Sequence, residues 1–331
     1  MNKETHIVSP QISVIMSVYN CQLFLKEAVA SILAQTFIDF EFIIIDDGST
    51  DESPSIISSY ADMDKRIKFS RCPNGGISKA VNVGLHTARG EFIARMDADD
   101  IALPQRLEKQ INYLRNSPDC VAVSGNVLFV DSEGEPLCVS KQETEHNRIE
   151  EELLCGRGLA LVQSAVMFRH AAMLQVGGYQ ERYNIGEDLD IYLRLAEIGK
   201  LANLAHVLLK VRRYQGSITA LTDEKKANMI KAEIIKDAMQ RRGMNPESFH
   251  FPQFRQPRSV GEHHRMLAYM AITGNYITTA RKHALKALRL EPFSKNTVKI
   301  VFLSMCLTIP GVIIAYRGYK TIRAIISNDN K

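Results

Sequence analysis

Glu41-Phe42-Ile43-Ile44-Ile45 runs into Asp46-Asp47-Gly48-Ser49-Thr50-Asp51, and the pattern returns where Glu91-Phe92-Ile93-Ala94-Arg95-Met96 runs into Asp97-Ala98-Asp99-Asp100. Each is an apolar run of strand length that ends in a cluster of carboxylates. In an open α/β sheet the carboxyl ends of parallel strands open onto the ligand crevice. Two acidic clusters converging there repel each other unless a cation or hydrogen-bond donors lie between them. A divalent metal holding a nucleotide diphosphate answers that demand.

Working outward, Ile12 to Val18 reads as an earlier strand, and Leu23 to Thr36 has apolar residues at helical spacing. A helix from Glu52 to Tyr60 leads to strand Ile67-Lys68-Phe69, and Pro73-Asn74-Gly75-Gly76 opens a helix that runs to Ala88. Strands alternating with helices predict βαβ units and a mainly parallel sheet. Pro104 sits as a helix N1 proline, with the helix reaching Arg115. Beyond it, Cys120–Val123, Val127–Val130, Ser164–Phe168 and His206–Val211 read as strands, and Glu187–Ile198 as an amphipathic helix. From Asp223 onward only helices are expected: Asp223–Arg241, a linker from Asn245 to Pro257, then a hairpin of Glu262–Ile272 and Tyr276–Leu290. The hairpin's small-residue pattern is that of one tetratricopeptide-type unit, which serves as a packing module since a repeat array needs several copies.

Composition supports a globular chain large enough for more than one average domain: 331 residues, 45% apolar and 24% charged. Six cysteines lie scattered without CxxC spacing and read as reduced thiols. Met1 to Pro10 contains no apolar core of a secretory signal, so a cytoplasmic location is expected. Net charge is only +4, yet residues 225–331 carry 19 Lys+Arg against 6 Asp+Glu, which leaves 22 against 31 for residues 1–224. The acidic part fits metal binding and the basic part an anionic surface. Ile300 to Tyr316 contains no charged residue and is interrupted by Pro310-Gly311, while Lys295, Lys299, Arg317, Lys320 and Arg323 flank it. That pattern predicts an in-plane membrane contact through 295–323, on the inner face of the cell membrane, with a buried helix as the alternative.

The sum of motifs resembles the family 2 glycosyltransferases of GT-A fold over residues 11–215. The resemblance is carried by Ser13-Val14-Ile15-Met16-Ser17-Val18-Tyr19-Asn20, by Asp46 to Asp51, by Asn74 to Leu85, and by Ala88 to Ile93. It continues through Met96 to Asp100, Val176-Gly177-Gly178-Tyr179 and Gly186-Glu187-Asp188-Leu189-Asp190. Any one fragment is weak; their order and spacing are specific. The resemblance implies a GT-A, Rossmann-like mixed sheet over residues 1–220 with an added basic helical region over 221–331. It implies an inverting transfer of one sugar from a nucleotide-diphosphate sugar to a glycan or lipid-linked hydroxyl in cell-surface polysaccharide synthesis.

Each motif also has a chemical reading. Asp47, at the end of a strand, can accept the imide N–H of uracil or thymine, and the resemblance gives it that role with Ser17 and Tyr19 lining the base pocket. The alternative is an Asx-turn with a helix cap, a part suited to Ser49 or Asp51. Asp97-Ala98-Asp99 is a DxD element: alternation along an extended chain sends both carboxylates toward one ion. Mn²⁺ or Mg²⁺ suits such oxygen ligands, with Asp99 the direct ligand and Asp97 beside it. Lys79 and Arg89 are placed to meet phosphates, although Arg89 equally suits a helix C-terminus, and Arg95 reads as a salt-bridge partner. Asp188, at the start of a helix, is the candidate general base that takes the acceptor's proton.

Two departures narrow the reading. The chain has no Trp and so lacks the Gln-x-x-Arg-Trp element of processive members, which implies addition of a single sugar. Gln163 stands where many relatives have a His, and Arg213-Tyr214-Gln215-Gly216-Ser217 ends the domain, so a His contact to metal or phosphate is not expected at either place. A sugar nucleotidyltransferase would need a Gly-rich basic loop after the first strand, and Tyr19 to Phe24 is not one. A catalytically silent scaffold would have no use for Asp47, Asp97, Asp99 and Asp188 together. The basic region has no recognisable nucleic-acid-binding motif, and no nucleic-acid partner is expected.

Overall fold

The computed structural model describes residues 9–156, 160–248, 257 and 259–306. Along the chain the strands are β1 (Ile12–Val18), β2 (Phe40–Asp46), β3 (Ile67–Arg71), β4 (Phe92–Asp97), β5 (Ile101–Ala102), β6 (Cys120–Val130), β7 (Pro136–Ser140), β8 (Met167–Arg169) and β9 (Lys200–Arg212). The helices are α1 (Leu25–Leu33), α2 (Ser53–Met63), α3 (Ile77–Thr87), α4 (Arg106–Asn116), α5 (His146–Leu154), α6 (His170–Gln175), α7 (Glu187–Ala196), α8 (Ile218–Leu221), α9 (Glu224–Arg241), α10 (Val260–Gly274), α11 (Ile277–Leu290) and α12 (Lys295–Cys306).

The strands join in the order β3-β2-β1-β4-β8-β6-β9-β5, with β7 on β6. β1 pairs in parallel with β2 and β4, and β2 with β3, whereas β8 runs antiparallel between β4 and β6. This is the mixed α/β sheet expected. β1 and β2 are buried along almost their whole length, as parallel strands covered on both faces must be, and so read as unbroken apolar runs.

Three local expectations are corrected. The two strands expected over Cys120–Val123 and Val127–Val130 form one strand, β6. Gly125 lies between them, where a Cβ would stand 2.8 Å from Leu208 Cδ1, so glycine here permits close packing and does not break the strand. The strand expected over Ser164–Phe168 begins instead as a 3₁₀ turn, Gln163–Ala165. In that turn the Ser164 hydroxyl accepts the Asp97 amide at 3.0 Å. Pro104 lies two residues before α4, where its carbonyl accepts from Thr36 N at 2.9 Å.

Contacts divide the chain into two compact units. The first holds the residues up to Leu128, Ser140–Val211 and the segment from Thr222 that forms α9. One of its apolar clusters gathers Leu189, Tyr192, Leu193 and Leu195 of α7 with Ile234, Ile235, Ala238 and Met239 of α9. By its contacts, therefore, α9 goes with the sheet, although its composition reads with the basic region that follows.

The second unit holds Phe129–Val139, Arg212–Leu221 and the helices α10 to α12. Within it α10 and α11 form the expected hairpin. Buried Asp131 accepts from Lys282 Nζ at 2.6 Å and pairs with His283 Nε2 at 3.0 Å, while His283 Nδ1 meets His264 Nδ1 at 3.0 Å. Among the described residues no helix is long and apolar enough to cross a membrane. The uncharged stretch is described only to Cys306; its continuation to Tyr316, the basic residues beyond it and most of the Asn245–Pro257 linker lie outside the described residues.

Candidate active site

The site takes its shape from strand register. β1 lies between the two acidic strands, so Val18 stands opposite Asp46 of β2 and Ser17 stands opposite Asp97 of β4. The strand order 3-2-1-4 reverses direction at β1, which makes its carboxyl end a topological switch point, where α/β sheets bind ligands. Ser17 is half-buried there and Tyr19, just beyond, is exposed. The β1–α1 loop is fixed to the β2–α2 loop: Asn20 N donates to Ser49 Oγ at 3.0 Å, and Gln22 N to Asp51 Oδ2 at 3.0 Å. Asp51 Oδ1 also accepts from Ser53 N at 2.9 Å, an Asx-turn leading into α2, whose N-cap is Glu52 with no side-chain cap bond.

Asp47 organises the next loop. Its Oδ1 accepts from Gly75 N at 2.8 Å, and its Oδ2 accepts from Gly76 N at 2.9 Å and Asn74 Nδ2 at 3.3 Å. Those bonds draw the start of α3 up to the sheet edge and engage most of the carboxylate's acceptor sites. Gly76 has φ +90°, and a Cβ there would stand 2.3 Å from Asn184 Oδ1, so only glycine fits. The loop is thereby held against the segment that precedes α7. Asn82 reinforces this link, accepting from Tyr179 N at 2.9 Å and donating to Tyr179 O at 2.8 Å. Lys79 is exposed on the first turn of α3, its chain lying across Gly75.

The acidic rim lies across β1 from this turn. β4 ends at Asp97, and Ala98-Asp99 lie in a turn, so the alternation of an extended strand does not orient the pair. The two carboxylates are nonetheless neighbours of one group: burial, then the charges of Asp99, Asp51, Asp100 and Asp97, push the Cys21 thiol well above its usual range. Asp188 opens α7 after Gly186, and its Oδ1 accepts from Leu189 N at 2.7 Å. Burial raises the Asp188 pKa and the charge of Asp97 adds to that, while the Leu189 amide and the Lys231 ammonium oppose it. Glu187 is raised as well, by burial first and then by Asp188 and Asp97. Helix α7 therefore brings Glu187 and Asp188 into the field of Asp97, a carboxylate from a remote part of the sequence.

Two guanidinium groups under the rim balance this charge. Arg95 is fully buried, donating to Ile15 O at 2.8 Å and Asp97 Oδ1 at 3.1 Å. Arg106 is buried in α4, donating to Gln110 Oε1 at 3.1 Å and to the carbonyl of Arg95. Arg106 and Lys231 were not foreseen from sequence. For Arg106 the signal was present: it occupies a core position of an amphipathic helix, in line with Leu107, Gln110, Ile111 and Leu114. Lys231 had no local signal, since only the packing of α9 on α7 brings it to Asp188. Arg71, at the end of β3, pairs with Asp46 Oδ2 at 2.9 Å and also went unremarked.

Arg89 does not join the site. It pairs with Glu41 Oε2 at 2.8 Å beside Ser13, at the amino ends of the strands and away from the acidic rim. The phosphate role weighed for Arg89 is thus corrected to a structural ion pair. Among the described residues no three His, Cys, Asp or Glu side chains form a metal-holding group. Asp97 and Asp99 still fit a hard divalent ion, because Mg²⁺-like ions are commonly held by one or two carboxylates together with waters and substrate phosphates.

Comparison with known proteins agrees with this architecture. The family described as Glycosyl transferase family 2 matches residues 13–170. The O-antigen biosynthesis glycosyltransferase WbnJ of Escherichia coli is 34% identical over 210 residues, covering 62% of this chain and 81% of that one. Among solved structures, S. aureus TarS 1-349 in complex with UDP-GlcNAc superposes with a TM-score of 0.57 at 16% identity, over 90% of this chain and 91% of that one. Mannosyltransferase PcManGT from Pyrobaculum calidifontis, in complex with GDP-Man and Mn²⁺, gives a TM-score of 0.52 at 16% identity, over 96% of this chain and 85% of that one. The fold is GT-A. The chain is an enzyme of the glycosyltransferase class and belongs to glycosyltransferase family 2.

Proposed function

We propose that this glycosyltransferase moves a single sugar, with inversion, from a nucleotide-diphosphate sugar to a hydroxyl of a glycan or lipid-linked acceptor. The setting proposed is cell-surface polysaccharide synthesis at the cytoplasmic face of the membrane, in line with the O-antigen role in the name of the Escherichia coli relative. The observation that supports the reading is that Asp97, at the switch point of the sheet, acts electrostatically on both Glu187 and Asp188 at the start of α7.

In this reading the donor's base lies by Ser17, Tyr19 and the loop that Asp47 holds, with Lys79 toward its phosphates. Asp99 and Asp97 would hold Mn²⁺ or Mg²⁺. The chemistry that ion supplies when bound is Lewis-acid stabilisation of charge on the departing nucleotide. Asp188 takes the acceptor hydroxyl's proton as the oxygen attacks C1 from the face opposite the nucleotide. A carboxylate at a helix N-terminus is ordinarily a weak base, because the helix dipole favours its anion. Burial, and after it the charge of Asp97, counter that effect and raise its basicity. Leu189 N–H fixes the carboxylate's orientation.

The test is Asp188→Asn, assayed for nucleotide-sugar binding and for transfer. Donor affinity should be retained while transfer falls by roughly 10²–10⁴-fold, the usual contribution of a general base. Transfer at the wild-type rate would remove Asp188 from this role.

A further inference from the structure

Helix α12 turns several apolar residues outward. Toward its own unit it presents Thr297, Ile300 and Ser304. Polar contacts hold that side: Arg265 donates to Thr297 Oγ1 at 3.0 Å, and Arg281 Nε to the Ser304 carbonyl at 3.2 Å. The outer side carries Val298, Phe302 and Met305, which are 53%, 66% and 41% exposed and fall at i, i+4 and i+7. Phe293, just before the helix, is 97% exposed. Lys295 and Lys299, one helical turn apart, border the stripe.

We propose that this face of α12 is an in-plane docking surface for an anionic lipid bilayer. Val298, Phe302 and Phe293 enter the boundary between headgroups and acyl chains, and Lys295 and Lys299 meet the lipid phosphates. Scattered exposed apolar residues need no explanation, but a helical stripe ordered on one face and rimmed by cations does. The same chemistry continues in the sequence: no charge follows until Arg317, and then Lys320 and Arg323 appear. Residues 256–331 carry 12 Lys+Arg against 3 Asp+Glu, which favours an anionic partner over a neutral apolar one. An amphipathic helix with an apolar stripe bordered by lysines suits the plane of the interface. This inference deepens the membrane-face setting proposed above and stands apart from the sugar chemistry.

The experiment is flotation of the full chain with vesicles of phosphatidylcholine alone and of phosphatidylcholine with phosphatidylglycerol, at low and high salt. Wild-type protein should float with the anionic vesicles only, and less at high salt. Val298→Glu with Phe302→Glu should lower the bound fraction at least tenfold. Lys295→Gln and Lys299→Gln should each lower it roughly fivefold at low salt. Nucleotide-sugar thermal shifts should stay at wild-type values in all variants, showing that they fold and that the donor site is intact. Failure of the wild type to float, equal binding to neutral vesicles, or flotation unaffected by the α12 substitutions would each overturn the proposal. Concentration-dependent dimerisation without flotation would overturn it too, and would assign the face to a second copy.

Discussion

At the scale of single residues, the site depends on charges that the fold forces together. Asp188 has a carboxylate neighbour in Glu187, a second in Asp97 across the rim, and the Lys231 ammonium opposing both. As the proposed base, Asp188 is tuned by these neighbours. Lys231→Gln removes an influence that favours the anion, so the acidic limb of the transfer–pH profile should move to higher pH. Measuring kcat across pH for both proteins checks this, and an unmoved limb would show that Lys231 does not act on the base. Arg106 is the other test at this scale. Its buried guanidinium serves Gln110 and the Arg95 carbonyl, and Arg106→Ala removes that donor from both buried groups. The expected cost is about 3 kcal/mol or more in urea unfolding.

At the scale of elements, the decisive piece is the turn from Asn74 to Gly76. Asp47 holds its amides, and Asn184 packs on Gly76, so one loop links the carboxyl end of β2 to the segment before α7. Gly76→Ala must strain a backbone at φ +90° and displace Asn184. It should cost about 1–3 kcal/mol and weaken donor binding, read by thermal unfolding and by titration with nucleotide sugar. The sequence made β1, β2, β4 and α3 legible because buried parallel strands are continuous apolar runs and their acidic ends interrupt them sharply. It placed Asp47, Asp97 and Asp188 at element ends correctly. It did not reveal that Ala98-Asp99 turn, because two residues of extended or turned backbone carry the same side chains. Nor could it place Lys231, which reaches Asp188 only through Ile234, Ile235 and Ala238 packing on α7. Helix α5 and strand β7 were not anticipated: they are short, and α5 buries only Ile149 and Leu153 along nine residues.

At the scale of the whole molecule, two units carry two different electrostatic tasks. The sheet unit gathers carboxylates at one edge. The other unit buries Asp131 under Lys282 and His283, whose hydrogen bonds overcome the cost of burial and hold its pKa far below the usual range. His264 meets His283 through a single nitrogen–nitrogen contact, which accommodates one proton and not two. Burial, then the charges of His283 and His263, bring the His264 pKa down to about 4. Its folded pKa thus lies below the unfolded value of about 6.5, so its contribution is complete above pH 6.5 and is lost as pH falls toward 4. The melting temperature should drop by about 3–6 °C across that window, and His264→Asn should flatten the drop. An unchanged slope in the variant would place the acid sensitivity elsewhere.

In the proposed function, a rim of carboxylates from separate segments grips a nucleotide sugar through a divalent ion. The most direct measurement is thermal shift against UDP-, GDP- and dTDP-sugars, with Mn²⁺ and with chelator, for the wild type and Asp99→Ala. Ligands that bind only the native state raise its stability. One class of nucleotide sugar should raise the wild-type melting temperature strongly with Mn²⁺ and weakly with chelator, and Asp99→Ala should lose the difference. A shift indifferent to the ion and to Asp99, or no shift with any nucleotide sugar, would contradict the account.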